Sequence, residues 1–226
     1  MSDFNGILPR NKQYLEKCDE YMEFIQRHRD RVKSAYKKYF ENNLEQIFSD
    51  SDVNMSDIVI IKEELPSQIE NHDMSKYSDQ EFEPYRIYRY QTDEEAEIIA
   101  NDTYIAELVN ENYHEALSHH RKINPHHPYY YLWIDDDYYT VLERPRESAL
   151  DMPLGAIIEM ICDWASFDDD FDYLKWYVTK DAEDVRIIMT ENTKRMVEFI
   201  TSKIMPDKYS DYRAKYKDSG IFITEE

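Results

Sequence analysis

Residues 92–120 read TDEEAEIIANDTYIAELVNENYHEALSHH. Thr92 is a helix-capping residue, and Asp93, Glu94 and Glu95 behind it form an acidic first turn that suits the positive end of a helix dipole. The pattern predicts one long helix that delivers His119 and His120 at its C-terminal end. Upstream, Leu15, Tyr21, Met22, Ile25, Val32, Tyr36 and Phe40 recur at roughly helical spacing between Tyr14 and about Asn43. A long amphipathic helix carrying His28 is predicted there. Residues Ser49 to Ser56 are polar and acidic, hence a loop, and Ile58 to Leu65 is read as a short helix or an extended piece. His72-Asp73 falls near a helix end, and Ser78 to Glu81 reads as the capped start of the next helix.

Downstream, Pro125 and Pro128 impose irregular backbone around His126-His127. Tyr129 to Asp137 is predicted as a loop or short strand. Pro153 opens a helix through Asp163-Trp164, Asp168-Asp169-Asp170 begins another, and Thr179 to Met205 forms the last long one. The tail after Pro206 is polar and expected to be loosely attached. Only 3 glycines occur in 226 residues, which argues against glycine-rich nucleotide loops and many tight hairpins. The expectation is an all-α chain of one domain, with its core at about 14–205.

Net charge is −21, from 48 acidic and 27 basic residues. Such a surface repels nucleic-acid phosphates, which excludes general DNA or RNA binding. It would also oppose a small phosphate ester unless a metal and a few cations reverse the field locally. Cys18 and Cys162 form no CxxC and read as reduced thiols. No signal pattern and no membrane-length apolar run is found, so a cytoplasmic protein is expected.

The chemistry lies in the order of the histidines. His28, His72-Asp73, His119-His120, His126-His127 and Asp163 run H…HD…HH…HH…D, and six of the seven histidines belong to the series. Imidazole and carboxylate are the usual ligands of a divalent ion acting on water or phosphate. One helix cannot surround an ion, so His28, His72, Asp73 and Asp163 would supply separate elements. Asp73 could bridge two ions, with one member of each histidine pair, His120 and His126 preferred, serving the second. His114 reads as a surface side chain. Neither Asp135-Asp136-Asp137 nor Asp168-Asp169-Asp170 has EF-hand spacing, so both read as solvated turns.

The order H…HD…D resembles the HD-domain superfamily of metal-dependent phosphohydrolases, which are all-helical. His72 to Lys76 (HDMSK) looks like the HDxxK variant, in which the lysine faces substrate phosphate. The segment His119 to Pro128 (HHRKINPHHP) is loosely similar to the HH segment of dinuclear members, without their glycines. The chain more closely resembles an uncharacterised bacterial and phage family with the motifs HDxSKF, HHxxxNxHHPE and EMxxDW. The matching stretches are His72–Tyr77, His119–Tyr129 and Glu159–Trp164, with Tyr77 for the phenylalanine and Tyr129 for the final glutamate.

The resemblance implies an HD-like bundle holding one or two divalent ions (Mn, Fe, Co, Mg or Zn). The ion would lower the pKa of a bound water, and Lys76 would neutralise phosphoryl charge. Arg121 and Lys122 are further phosphate candidates or simple helix-end charges. Glu159, one turn before Asp163, would orient a ligand imidazole or move a proton. The function expected is hydrolysis of a nucleotide or other small phosphate ester, with Asp73, Lys76 and Glu159 in the chemistry. The alternative is a non-catalytic helical metal-binding or acidic interaction module. The N and O donors, with both cysteines outside the series, tilt toward catalysis.

Overall fold

A computed structural model describes residues 8–131 and 149–223. The described residues are helical and include no β-strand, as the composition implied. No helix among them is long and apolar enough to cross a membrane. The acidic run Asp135-Asp136-Asp137 and most of the loop or strand expected up to Asp137 lie outside the described residues. The chain forms two compact units that share its first helix. One comprises the chain up to Arg29 with Asp73–Asn124, the other Asp30–His72 with Pro125 onward.

The shared helix, α1 (Lys12–Tyr39), buries Tyr21, Ile25, His28, Val32, Ala35, Tyr36 and Tyr39, a stripe at three- and four-residue spacing. His28 therefore occupies a core-facing position. Leu15 and Met22, which sequence counted on this face, are exposed. The helix stops at Tyr39 rather than Asn43, and a short α2 (Leu44–Ile47) follows.

In the first unit, α4 (Phe82–Arg89) and α5 (Asp93–Asn101) pack on α6 (Thr103–Ile123). The single helix expected from Thr92 is broken at Asp102. The side chain of Asp102 accepts from the Tyr104 and Ile105 amides at 3.0 and 3.2 Å, which caps a new helix instead of continuing the old one. Thr92 makes the expected cap as a full capping box with Glu95. The expected cap before α4 does not form. Residues 78–81 are a turn, and Glu81 makes no cap because its carboxylate is taken by Ser75, His119 and His120.

In the second unit, α3 (Met55–Glu70) is longer than the sequence indicated and buries Ile58, Leu65 and Ile69. It packs on α7 (Leu154–Ser166), whose residues 156–166 are all buried. A helix apolar all round belongs in a core, and Glu159 and Asp163 are the acids on it. The Asp168–Asp170 stretch is a turn rather than a helix start, because the Asp168 side chain accepts from the Asp170 and Asp172 amides at 2.9 and 3.1 Å. A four-residue α8 (Leu174–Tyr177) comes next. The expected long C-terminal helix is divided into α9 (Glu183–Ile188) and α10 (Glu191–Ile204), with Thr190 capping the latter. The tail is not loose. It forms α11 (Pro206–Lys215), and Phe222 is buried in the core with the Ile223 amide donating to Glu198 at 2.8 Å.

Beneath the first unit lies a buried ion pair. Arg86, fully inaccessible, donates to both oxygens of Glu95 at 3.0 and 2.6 Å and to Glu83 at 3.0 and 3.1 Å. Removing one partner strands a buried charge without its counterion. Arg86→Leu is expected to destabilise the protein by roughly 3–5 kcal/mol in chemical denaturation, and Arg86→Leu with Glu95→Leu by clearly less. A single variant as stable as the parent would contradict this account.

Candidate metal centre

The chain emerges from α3 at Asn71, and Asp73 adopts a left-handed backbone, φ 57° and ψ 21°. Short polar residues tolerate that region better than most, at a cost that local structure must cover. The turn leads into a 3₁₀ helix, Met74–Tyr77, that packs on α6. It points the Asp73 carboxylate into the first unit, where the carboxylate is 2 % exposed.

Three side chains of that unit meet this carboxylate. His28 Nε2 lies 3.3 Å from Oδ2, His120 Nε2 lies 3.3 Å from Oδ1, and Lys76 Nζ lies 2.6 Å from Oδ2. Behind His120 stands Glu81, fully buried, at 2.9 Å from Nδ1. A carboxylate oxygen only accepts, so His120 Nδ1 carries a proton. Burial lowers the His120 pKa, with Lys76 adding to the effect against the pull of Asp73 and Glu81. The ring is thus neutral near pH 7, and its Nε2 presents a lone pair toward Asp73. Glu81 itself is lowered overall: burial raises it, but His120, His119 and Ser75 outweigh burial. Asn124 closes the network, donating to Ser75 Oγ at 2.9 Å and to the His120 carbonyl at 2.8 Å.

The second unit contains a parallel arrangement. Glu159 Oε1 lies 2.8 Å from His72 Nδ1 and 3.2 Å from His126 Nδ1, while Gln68 donates to Oε2 at 2.5 Å. His72 Nε2 faces Asp163 Oδ1 at 3.7 Å. The His72 and His126 rings are 4.3 Å apart, and His72, Asp163, His126 and Glu159 are all buried. Burial alone would raise the Glu159 carboxyl, yet hydrogen bonds from His126 and His72 bring it down to about 2. The sequence Glu81–His120–Asp73 in one unit and Glu159–His72–Asp163 in the other is the same device: a carboxylate holds Nδ1, and Nε2 looks at a second carboxylate.

This geometry fits a divalent ion. Two ligands about 2.1 Å from one ion are roughly 3.0 Å apart in an octahedral shell and 3.4 Å apart in a tetrahedral one. The Asp73 separations of 3.3 Å fall in that range. His72, His126 and Glu159 offer ligand atoms that lie within 4.8 Å of one another. Buried imidazoles oriented through Nδ1 by carboxylates are the usual supporting shell of metal ligands.

Of the other residues singled out by sequence, His119 is part-exposed and touches the outer side of Glu81 at 2.8 Å. His127 is half-buried, its ring 4.2 Å from that of His126. His114 is exposed on α6, and Lys122 is exposed too. Arg121 is half-buried in the last turn of α6. Sequence reading missed Glu81, Gln68, Ser75 and Asn124. Glu81 carried a signal that was misread, since an acid three residues after Ser78 looks like a capping box.

Glu159 gives a pH signature. Its folded carboxyl titrates at about 2 against an ordinary 4.5, so its contribution is complete above pH 4.5 and is lost as pH falls through about 2. In protein dialysed free of metal, Glu159→Gln is expected to cost roughly 2–3 kcal/mol at pH 7. The difference from the parent should shrink steadily between pH 4.5 and 2 in urea titrations. A difference independent of pH would contradict it.

No curated protein and no solved structure matches the chain. One family model matches residues 17–205, a span that includes His28, both Nδ1-holding carboxylates and Asp163. The chain belongs to DUF5662, a family of unknown function.

Proposed function

We propose that the protein is a metal-dependent phosphohydrolase of the HD type, acting on a nucleotide or another small phosphate ester. The observation that carries this reading is the face-to-face placement of His120 Nε2 and Asp73 Oδ1 at 3.3 Å. With Nδ1 protonated toward Glu81, a neutral imidazole turns a lone pair onto an anionic oxygen. Two acceptors held at that distance in a buried site are stabilised when a cation lies between them. His72 Nε2 and Asp163 repeat the motif.

The resemblance to HD proteins groups His28, His72, Asp73 and Asp163 as one ligand set, and His72 and Asp73 are consecutive in the chain. His120 and His126 are the candidates for a second ion, and His119 and His127 stand beside them. A divalent ion would supply an activated water and charge neutralisation at phosphorus. The chain's own groups do the rest. Glu81 and Glu159 hold the imidazoles in the tautomer that ligates. Lys76, against Asp73 at 2.6 Å, brings a cation to the place where phosphoryl charge develops. Arg121 and Lys122 provide positive charge near the end of α6, and Glu159, lowered to about 2 by its imidazole bonds, serves the orienting role rather than proton transfer. In a chain of net charge −21, such local cations are what make an anionic substrate admissible.

Elemental analysis of the purified protein, followed by a nucleotide and phosphoester panel with added Mn²⁺, Co²⁺ or Mg²⁺, tests the proposal. The expected result is bound metal and metal-dependent phosphate release. Asp73→Ala and His72→Ala should each lower kcat/KM by about 100-fold or more, and Lys76→Met should act mainly on KM. Metal bound without turnover of any phosphoester would favour a non-catalytic metal module and overturn the assignment.

A further inference from the structure

Glu81 and Glu159 hold their imidazoles differently, and one side chain accounts for the difference. In the first unit each oxygen of Glu81 has its own histidine, His119 on Oε1 and His120 on Oε2, at 2.8 and 2.9 Å. Of those two rings only His120 is buried. In the second unit both rings turn to one oxygen: Glu159 Oε1 lies 2.8 Å from His72 Nδ1 and 3.2 Å from His126 Nδ1. Both of these rings are buried. The other oxygen, Oε2, is taken by the Gln68 amide at 2.5 Å. A Glu159 carboxylate that lost this donor could turn and give one oxygen to each ring, as Glu81 does.

The Gln68 amide is also held from behind. A carboxylate only accepts, so Nε2 faces Glu159 and Oε1 points away from it. There Oε1 meets the first turn of α7 at Gly155, where a Cβ atom would stand only 3.2 Å from it. That is tighter than ordinary van der Waals contact, and a retreat of the amide would pull on its bond to Glu159. The first turn of α7 has no side-chain cap, and the positive end of a helix suits a carbonyl oxygen. Glycine at 155 thus admits an amide whose two ends are already assigned. Gln68 on α3 and Gly155 on α7 both belong to the second unit.

We propose that Gln68, seated against Gly155, is a positioning residue of the metal centre. By occupying Glu159 Oε2 it brings His72 Nδ1 and His126 Nδ1 together onto Oε1. Both rings are then held in the tautomer whose Nε2 ligates a divalent ion. The inference rests on the metal-centre reading above and adds to it the residue that selects the paired imidazoles. Outer hydrogen bonds of this kind tune the affinity of the ligands they orient.

Mn²⁺ is the probe, titrated calorimetrically into the metal-free full-length protein, with the ring-nitrogen NMR shifts of His72 and His126 recorded before metal is added. The wild type is expected to bind Mn²⁺ and to carry a proton on Nδ1 of both rings. Gln68→Leu and Gly155→Ala should each weaken Mn²⁺ binding about 10-fold or more, as loss of such outer contacts does. Each should also shift at least one ring away from the Nδ1-protonated form. The two residues act through one amide, so the double variant should bind no more weakly than Gln68→Leu alone. Single variants that bind Mn²⁺ as the wild type does would overturn the positioning role and leave the metal-centre reading standing. Additive losses in the double variant would do the same, since Gly155 would then act on something other than Gln68. Weaker binding with both rings still protonated on Nδ1 would make the loss one of packing and also overturn the proposal. A wild type that binds no Mn²⁺ would overturn the proposal together with the reading beneath it.

Discussion

Buried carboxylates that hold imidazoles by Nδ1 are the constraint on which the rest of this molecule turns. An ionised carboxylate away from water is costly unless donors surround it. Glu81 meets that demand with Ser75, His119 and His120, and Glu159 meets it with Gln68, His72 and His126. Each solution fixes the tautomer of a histidine and aims its Nε2 at another acid, Asp73 or Asp163. The local backbone complies: the left-handed turn at Asp73, the uncapped start of α4 and the fully buried α7 all follow from placing these groups inside. Stability and chemistry therefore draw on the same hydrogen bonds.

Most helical segments were legible because burial imposes a helical period on the sequence. The stripe on α1 is the plainest case, and the structure places His28 on its buried side. The boundaries were less legible, for a consistent reason. Asp102 and Thr190 end one helix and begin the next by accepting backbone amides, and short polar side chains in a helical pattern do not announce whether they will do so. The tail after Pro206 looked detachable because α11 is polar, while its anchorage depends on Phe222 and on Glu198, far away along the chain.

The site was legible as a list of ligand types and not as a geometry. Histidine doublets stand out in any sequence, and the sequence preference for His120 and His126 agrees with their burial, while His119 and His127 are half-buried. Glu81 was hidden because one residue pattern, a serine with an acid three positions on, serves both as a helix cap and as a chance spacing. Donors from other helices decided the outcome.

The central claim is that Asp73 and the imidazoles facing it form a metal centre. Anomalous diffraction from crystals grown with Mn²⁺ tests it most directly. The account expects an anomalous peak within about 2.2 Å of an Asp73 oxygen and of at least one histidine Nε2. Crystals in excess Mn²⁺ with no peak at Asp73, and His120 bonded there only to protein atoms, would contradict it.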